Sequence, residues 1–385
     1  MKLLLYSHDW APSIGGTQTI TMLLARGLAS RTSSNSEPVD VILVTNTPRE
    51  AMDDAGAGDR IVRAPGLWQL ATLLRQSDLI HLAGPSLSPL MLAWLLRKRV
   101  VVEHHGFQAI CPNGQLFYTR TESRCPGHFM MGNYGECIAC NRHNGYLRSV
   151  SQWLLTFPRR WLCKRVAANI TPTDWLAAQL QLPRMTTIYH GVPDAPRESA
   201  KSSQVDQVKF AFLGRLVSTK NVPVLLHAIA DLRRTGCPCQ LLIIGDGPER
   251  KNLEKLASEL AIAGTVSFLS YVIEADLERA LAGVVAVVSP GASGEVFGLA
   301  AAENMRRGRI PIVPSSSALA EVVGDAGMTF PEGDSPSLAA AMQRLIAEPE
   351  LRERLSSAAQ QRSQELFNED AMVDAHISLY KSIQK

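Results

Sequence analysis

The first half of the chain alternates short apolar runs with amphipathic stretches. The apolar runs are continuous, which is typical of strands buried on both faces, and the stretches between them have helical spacing. The pattern predicts strands at Lys2–Ser7, Val39–Thr45, Leu79–Leu82 and Val100–Glu103, and helices at Thr17–Arg31 and Ser86–Leu96. Strands that alternate with helices predict a parallel sheet covered on both faces.

The second half repeats this scheme. Its predicted strands are Lys209–Leu213, Gln240–Ile244, Thr265–Phe268, Val284–Val288 and Ile310–Val313. Its predicted helices are Asn221–Thr235, Glu249–Leu260, Phe297–Arg306, Ser335–Ala347 and Leu351–Glu365. The repetition predicts a second sheet of the same parallel kind.

The chain of 385 residues is long enough for two large domains. A stretch from 193 to 207 contains Pro and Ser and lacks apolar periodicity, so we predict that it links the domains. The predicted fold class is α/β, with two doubly wound, Rossmann-like domains at 1–192 and 208–368. Ligands bind at the carboxyl ends of strands in such sheets, and two facing sheets would place a ligand in the cleft between them.

Composition narrows the class of protein. Apolar residues make up 46% and charged residues 19% of the chain, which is ordinary for a soluble globular protein. The net charge is only +3, from 39 Lys and Arg against 36 Asp and Glu, so no nucleic-acid partner is expected. The apolar run from Leu87 to Leu96 is about half a membrane span. These features predict a cytoplasmic protein and leave attachment to the inner face of a membrane open.

The strongest candidate for chemistry is the segment from Ser289 to Glu303. A predicted strand ends in a Gly-rich turn, and a helix is predicted to begin at about Phe297, whose free N–H groups would bind an anion. Glu295 and Glu303 are eight residues apart, so helical spacing places them on roughly one face. Two such carboxylates could hold sugar hydroxyls on either side of a diphosphate. A helix cap with one solvated glutamate explains the same spacing.

Three further loops add weaker signals. Arg215 and Lys220 follow a strand and suit a phosphate leaving group, although these two residues taken alone are better explained by a solvated loop with exposed cations. Gly245 and Gly247 form a Gly-x-Gly turn without the third glycine of a dinucleotide fingerprint, which argues against an NAD-dependent oxidoreductase. Gly15 and Gly16 offer another glycine-rich turn before the first helix.

Taken together, these motifs resemble the retaining glycosyltransferases of family 4, which have the GT-B architecture. The resemblance covers nearly the whole chain and is carried by four elements: Gly15-Gly16, Gly214-Arg215 with Lys220, Gly245-Asp246-Gly247-Pro248, and the pair Glu295 and Glu303. It implies a nucleoside-diphosphate sugar donor, transfer with retained anomeric configuration, and no cofactor or metal required for catalysis. It also implies that the last helix, within 369–385, crosses back onto the first domain.

The resemblance also assigns roles to residues. Arg215 and Lys220 would bind the diphosphate, Glu295 the donor sugar, and Glu303 the ribose. His105, at a strand end, would lie near the donor sugar. The resemblance thus implies the catalytic set Arg215, Lys220, Glu295 and His105. The implied donor-binding set is Gly15, Gly16, Gly245, Val272 beside Tyr271, Phe297, Gly298, Leu299 and Glu303.

The segment 106–145 interrupts the alternation of strands and helices. It has no periodic pattern and contains Cys111, Cys125, Cys137 and Cys140. A structureless segment of this length needs a function or a staple, and in the cytoplasm four thiolates suit a structural zinc ion better than disulfides. Reduced thiols packed in a loop are the alternative.

The stretch from Cys137 to Thr173 contains no acidic residue and interleaves cations with large apolar side chains. Within it, residues 142–165 suit an anionic membrane surface, which would fit a lipid-linked acceptor. A core helix with a solvated basic face explains the same composition.

The sequence therefore predicts a glycosyltransferase that uses a UDP- or GDP-sugar. Its acceptor would be a sugar, a lipid-linked compound or a metabolite, in the synthesis of a polysaccharide, glycolipid or glycosylated metabolite. Two alternatives stay open: a nucleotide-sugar epimerase or hydrolase on the same fold, and a zinc-stabilised binding protein without enzymatic activity.

Overall fold

The computed structural model describes residues 1–10, 15–32, 39–48, 61–194, 208–237, 239–270, 272, 274–291 and 293–384. Its contacts divide the chain into two compact units. The first unit comprises Met1–Thr121, Cys125–Gly191 and Asn368–Lys385, and the second comprises Glu122–Arg124 and Val192–Phe367. Most of the predicted linker, residues 195–207, lies outside the described residues.

The N-terminal part of the chain builds the first unit. The strands of this part of the chain are β1 (Lys2–Ser7), β2 (Asp40–Thr45), β3 (Ile61–Arg63), β4 (Leu79–Ala83), β5 (Arg99–Glu103), β6 (Phe117–Tyr118), β7 (Ser123–Arg124), β8 (Ala168–Thr171) and β9 (Met185–Thr187). Of these, β7 falls within the residues Glu122–Arg124 that are assigned to the second unit. The helices of this part of the chain are α1 (Gly16–Thr32), α2 (Leu67–Gln76), α3 (Leu87–Leu95), α4 (Tyr134–Asn141), α5 (Tyr146–Cys163) and α6 (Asp174–Leu180).

Within the described residues, seven of these strands form one parallel sheet in the order β3-β2-β1-β4-β5-β8-β9. Its centre is apolar: Leu3, Leu4 and Leu5 of β1 are fully buried. The register aligns Ser7 with Ala83, and Ala83 with Glu103. The carboxyl ends of β1, β4 and β5 therefore lie side by side.

The second unit has its own parallel sheet. Its strands are β10 (Val208–Leu213), β11 (Cys239–Ile244), β12 (Val266–Leu269), β13 (Val284–Val288), β14 (Ile310–Pro314) and β15 (Met328–Phe330). In the described ranges their order is β12-β11-β10-β13-β14-β15. The helices are α7 (Val222–Arg234), α8 (Arg250–Glu259), α9 (Glu274–Ala280), α10 (Leu299–Arg306), α11 (Ala318–Val323), α12 (Ser335–Ala347) and α13 (Pro349–Leu366).

The last helix, α14 (Glu369–Gln384), belongs to the first unit. Arg31 of α1 lies 3.0 Å from Asp370, and Val373 packs against Gly27 so closely that a Cβ there would lie 2.3 Å from Val373 Cγ2. Tyr380 places its hydroxyl 2.7 Å from Nδ1 of His81 in β4. The helix is therefore packed against both α1 and the sheet.

The predicted α/β class is confirmed, since both sheets are parallel and helices connect their strands. The prediction of a structureless segment at 106–145 is wrong, because this segment contains the β6–β7 hairpin and α4. Elements of two to eight residues are too short to show a period in the sequence.

Candidate active site

Three loops of the second unit meet at the carboxyl ends of adjacent strands. They follow β10 (residues 214–221), β11 (245–249) and β13 (289–298). The N–H of Leu216 donates to the carbonyl of Asp246 at 2.8 Å. A Cβ on Gly245 would lie 1.9 Å from the carbonyl oxygen of Gly214, so this position accepts no side chain. The first two loops are thus packed backbone against backbone.

The structure brings Lys220 and Glu295 together. Lys220 Nζ lies 2.8 Å from Glu295 Oε2, and the two side chains are 27% and 16% exposed. Gly291 packs against the backbone of Thr219 and Lys220, which fixes the 289–298 loop against the 214–221 loop. An incoming phosphate would compete with Glu295 for the ammonium group. Arg215 is exposed near the start of the same loop, outside this ion pair.

The helix that carries Glu303 begins later than predicted. Gly298 has φ +83° and ψ 60°, which is left-handed, and α10 starts at Leu299. The predicted start at Phe297 is wrong because a left-handed residue cannot continue a right-handed helix. Phe297 is instead buried, with its ring centroid 5.2 Å from that of Phe367.

Glu295 and Glu303 consequently do not share a helix face. Glu295 lies four residues before the first helical residue and pairs with Lys220, so helical spacing does not relate the two carboxylates. Glu303 lies half-buried in α10, where its carbonyl accepts a hydrogen bond from Arg307 Nη1 at 2.9 Å. The prediction of a common face is therefore wrong, although both residues flank the same glycine-rich turn.

The other predicted donor residues are divided between the units. Val272 is half-buried and packs against the apolar cluster of Ala211 and Leu242, whereas Tyr271 lies outside the described residues. Gly15 and Gly16 belong to the first unit, where the carbonyl of Gly15 accepts the N–H of Thr19 at 3.0 Å and α1 begins at Gly16.

The first unit contains a polar pocket of about 340 Å³ at the carboxyl ends of β1, β4 and β5. His105 lines this pocket, and its place near the donor sugar stays a prediction. The predicted site residues do not include the other polar side chains of the pocket, which are Ser7, His8, Asp9, Thr17, Gln18, Asn46, Ser86, Ser88, Gln108 and Arg159.

A usable signal existed for only some of these pocket residues. His8 and Asp9 directly follow the first predicted strand, as ligand-binding residues of α/β sheets do. Arg159 lies on α5 and donates from Nε to the carbonyl of Pro85 at 3.1 Å, across 74 positions of sequence. Burial lowers the pKa of this guanidinium. No local pattern connects it to the pocket.

Beneath the pocket lies a buried group, the Glu103 cluster, made up of Glu103, His81, His105, His190 and His376. Of these residues only His105 was among the predicted site residues. Glu103 Oε2 lies 3.0 Å from His81 Nε2 and 3.7 Å from Nε2 of both His105 and His376. Glu103 Oε1 lies 3.7 Å from His190 Nδ1. The carboxylate is 1% exposed.

Burial and charge act in opposite directions in the Glu103 cluster. Burial opposes ionisation of Glu103, yet the facing imidazoles, His105 foremost, hold the pKa of this carboxyl well below its usual range. Burial also lowers the pKa of His81 and His105, and it lowers that of His190 to about 3. An ionised carboxylate thus faces imidazoles that burial drives toward the neutral form.

The four cysteines of the 106–145 segment are all buried with free thiols. Cys111 Sγ donates to Asn113 Oδ1 at 3.0 Å, and Asn113 Nδ2 donates to Cys140 Sγ at 3.6 Å. Burial, followed by the proximity of Cys111, Cys125 and Cys140, raises the pKa of Cys137 to about 12. Among the described residues, the groups whose ligand atoms all lie within 4.8 Å of one another are drawn from the Glu103 cluster and contain no cysteine.

Most of the basic stretch 142–165 forms helix α5. This helix exposes large apolar side chains beside its cations. Leu147, Leu154 and Trp161 are 83%, 51% and 41% exposed. Seven-residue spacing places them on one face. The Arg165 guanidinium lies 3.7 Å from the centroid of the Trp161 ring. None of the helices in the described ranges combines the length and the apolar character that a bilayer span requires.

Two family models match the chain in succession. "Glycosyltransferase Family 4" matches residues 14–195, and "Glycosyl transferases group 1" matches residues 194–362. The lipopolysaccharide core biosynthesis glycosyltransferase LpsD of Rhizobium meliloti (strain 1021) is 33% identical over 253 residues, which are 65% of this chain and 67% of that protein. The chain belongs to the family 4 glycosyltransferases.

One further relative matches over only part of its length, and one solved structure matches over nearly the whole chain. The α-D-kanosaminyltransferase of Streptomyces kanamyceticus is 28% identical over 174 residues, which are 45% of each chain, so the match spans less than half of that relative. The crystal structure of Anabaena Alr3699/HepE in complex with UDP superposes with a TM-score of 0.73 at 16% identity, over 99% of this chain and 100% of that one. At this identity the structural likeness establishes the GT-B fold of this glycosyltransferase.

Proposed function

We propose that this family 4 glycosyltransferase moves a sugar from a nucleoside-diphosphate sugar to an acceptor hydroxyl and retains the anomeric configuration. The observation that carries the proposal is the Lys220–Glu295 pair, held at 2.8 Å where the loops after β10 and β13 meet. This pair supplies a cation for the diphosphate and a carboxylate for the sugar at adjacent points of one unit. The relative solved with UDP supports UDP as the first nucleotide to test.

The leaving group is stabilised by this chain's own cations in this proposal. Negative charge grows on the diphosphate as the glycosidic bond breaks, and Lys220 and Arg215 lie on the loop that would face it. Glu303 would accept hydrogen bonds from the ribose, with the backbone at Phe297, Gly298 and Leu299 near sugar and phosphate. These fixed cations would stabilise the charge of the leaving diphosphate, as a divalent metal ion does in other enzymes.

Retention follows from which base takes the acceptor proton. A leaving phosphate oxygen that deprotonates the acceptor hydroxyl requires attack from the face that the phosphate leaves. His105 would hold the donor sugar from the polar pocket of the first unit. The support for retention is the motif resemblance, and an NMR time course of the product anomer tests it directly.

The acceptor would present hydroxyl groups to the same pocket. Its lining of hydroxyl, amide, imidazole and carboxylate side chains suits a sugar or polyol better than an acyl chain. The names of the relatives, which include lipopolysaccharide core synthesis and kanosaminyl transfer, support synthesis of a glycolipid, polysaccharide or glycosylated metabolite.

The exposed face of α5 is proposed to contact an anionic membrane surface. Trp161 packs edge-on against Trp94 of α3 with ring centroids 5.2 Å apart, so the apolar patch continues onto a second helix. Arg148 and Lys164 are exposed beside it, and the stretch has no acidic residue to repel anionic headgroups. Vesicle sedimentation of the wild type and of Trp161→Ala, with and without phosphatidylglycerol, tests this; equal binding to neutral vesicles would exclude the charge contribution.

A structural zinc ion is proposed for Cys111, Cys125, Cys137 and Cys140. The support is their common burial and the two N–H groups that point at Cys140 Sγ, from Asn113 Nδ2 at 3.6 Å and from the backbone of Thr119 at 3.5 Å. N–H groups that point at sulfur stabilise thiolate ligands. Zinc retained by the wild type and lost from the double variant Cys137→Ser, Cys140→Ser is the expected result.

The donor site is tested by thermal stability with UDP, GDP, ADP and TDP. A ligand that binds only the folded state stabilises it by about 2.7 kcal/mol at a hundred times its Kd. We expect one diphosphate to raise the midpoint of the wild type and of Glu353→Ala, an exposed control in α13, and to leave Glu303→Ala unmoved. Stabilisation of Glu303→Ala to the same extent would contradict the ribose role.

A second assay separates the alternative activities. Transfer to added acceptors distinguishes a transferase from a hydrolase, which releases free sugar without an acceptor, and from an epimerase, which returns a changed nucleotide sugar. Stabilisation by a diphosphate together with acceptor-independent hydrolysis alone would overturn the transferase proposal.

A further inference from the structure

Imidazoles from several separate elements face the carboxylate of Glu103. His81 comes from β4 and His376 from α14, and both are fully buried. In the described part of the chain, Nε2 of His376 is buried without a hydrogen-bond partner. A buried polar atom left without a partner destabilises the folded state, so a group that satisfies this nitrogen is expected.

The hydrogen bonds of His376 restrict what that group can be. Its Nδ1 lies 2.8 Å from the carbonyl oxygen of Met372, and a carbonyl oxygen only accepts, so Nδ1 carries the hydrogen. In a neutral ring, Nε2 then presents a lone pair toward Glu103 Oε2, 3.7 Å away. Two lone pairs that face each other in a buried space repel, and a cation between them removes the repulsion.

The His81–Glu103 spacing is that of two ligands of one metal ion, and the His376–Glu103 spacing is a few tenths of an ångström longer. Glu103 Oε2 is 3.0 Å from His81 Nε2 and 3.7 Å from His376 Nε2, and all three ligand atoms lie within 4.8 Å of one another. Ligands about 2.1 Å from one ion, at right or tetrahedral angles, are about 3.0–3.4 Å apart. Two imidazoles and a carboxylate are donors that zinc prefers.

The outer contacts of both imidazoles are those of metal ligands. A ligating histidine usually hydrogen-bonds its other nitrogen to a carbonyl, a carboxylate or another polar group, which fixes the ring. His376 has Met372 O, and His81 has the Tyr380 hydroxyl at 2.7 Å from Nδ1. Met372 and Tyr380 both lie on α14, so one helix supplies one ligand and orients two.

We propose that Glu103, His81 and His376 bind a divalent transition-metal ion, with zinc as the best match, and that this ion fastens α14 to the middle of β4 and the end of β5. The role is structural and independent of the proposed donor site. His105 Nε2 lies 3.7 Å from the same carboxylate oxygen, so an ion that fixes Glu103 also limits how His105 can move in the pocket.

The alternative occupant is a second proton on His376, which would make a buried ion pair with Glu103. Cobalt as a zinc substitute distinguishes the two in the full-length protein. Histidine and carboxylate ligands give a visible cobalt d–d band without the thiolate charge-transfer band that the four cysteines would add. Titration with Co²⁺ therefore separates this site from the proposed cysteine site, which total zinc content does not.

We expect the wild type to show the nitrogen–oxygen cobalt band and to bind the ion at least tenfold more tightly than His376→Gln or Glu103→Gln. His227→Gln, an exposed histidine of α7, is the matched control and should bind as the wild type does. Removal of the ion with a chelator should speed amide exchange in 369–384 and leave 335–347 unchanged.

Two results would overturn the proposal. One is a wild type whose cobalt spectrum contains only the thiolate-ligand component or no bound cobalt. The other is equal cobalt affinity in His376→Gln and the wild type. If the variants do not fold, the wild type still decides the question. Bound cobalt shifts the imidazole proton resonances of its ligands, whereas a protonated His376 would not bind cobalt and its resonances would not shift on cobalt addition.

Discussion

The two units place polar groups at the same edge of their parallel sheets, but they assemble them differently. In the second unit, Lys220 and Glu295 come from loops directly after β10 and β13, and the loops pack through backbone contacts such as Gly245 against Gly214. In the first unit, Glu103 meets His81 across 22 positions and His376 from the last helix.

The two sites therefore depend on different features of the fold. Loops that follow adjacent strands converge because the sheet topology aligns the strand ends, and so their motifs are short and readable. A buried side-chain cluster depends on which elements pack over the sheet, and its members are scattered along the chain. The second unit should therefore be sensitive to changes in its loops, and the first to changes in distant side chains.

The largest expected effect is on turnover, from Lys220→Ala. Loss of a fixed charge at a developing anion typically lowers kcat by about 10²- to 10³-fold. Lys251→Ala, an exposed lysine of α8, should retain wild-type turnover. Steady-state kinetics measures both variants, with the nucleotide sugar whose diphosphate stabilises the wild type as the donor. A kcat for Lys220→Ala within a few-fold of the control would remove Lys220 from the catalytic set.

Gly245→Ala tests the backbone packing of the second unit. The added Cβ would overlap the carbonyl oxygen of Gly214 at 1.9 Å, at a residue with φ +148°. We expect a loss of about 3 kcal/mol in the free energy of unfolding, from strain and overpacking together. Gly264→Ala, where a Cβ meets open space, should be close to neutral in the same denaturant titration. Equal stability of both variants would mean that the close contact between Gly245 and the Gly214 carbonyl does not contribute to stability.

Tyr380→Phe tests the long-range side-chain contacts of the first unit. It removes the hydroxyl that lies 2.7 Å from His81 Nδ1 and leaves that nitrogen buried, which costs about 1–2 kcal/mol. Tyr146→Phe, at a side chain that is 61% exposed, is the control. Amide exchange should quicken in α14 for Tyr380→Phe alone. Unchanged exchange there would show that the helix is held without this hydrogen bond.

The smallest effect is expected from the helix caps, which use the same local device in both units. Thr173 Oγ1 accepts the N–H of Leu176 at 3.2 Å in the first unit, and Asp334 Oδ1 accepts that of Ser337 at 3.0 Å in the second. Alanine at either position should lower Tm by about 2–4 °C. If calorimetry finds a large fall in Tm for only one of the two variants, helix capping contributes differently to the stability of the two units.

Some of the site could be predicted because its signals are local. Arg215, Lys220 and Glu295 lie in loops that follow predicted strands, Glu303 lies in the helix predicted after the glycine-rich turn, and the resemblance implied their roles. Gly298 shows where local pattern fails: the apolar spacing allows a helix from Phe297, but the left-handed backbone at Gly298, with Leu319 packed against it, starts α10 at Leu299.

The sequence by itself indicated two parallel α/β sheets, because short continuous apolar runs between amphipathic stretches are typical of buried strands. It also determined the loops that follow those strands. It did not indicate β3, β8, β9 and β15, which are only three or four residues long. Only the tertiary structure decided that Glu103, His81 and His376 share one buried space, since their proximity arises from sheet order and from the docking of α14 on the first unit. A lone histidine in a strand or helix carries no record of its partner, because long-range packing leaves no period in the chain.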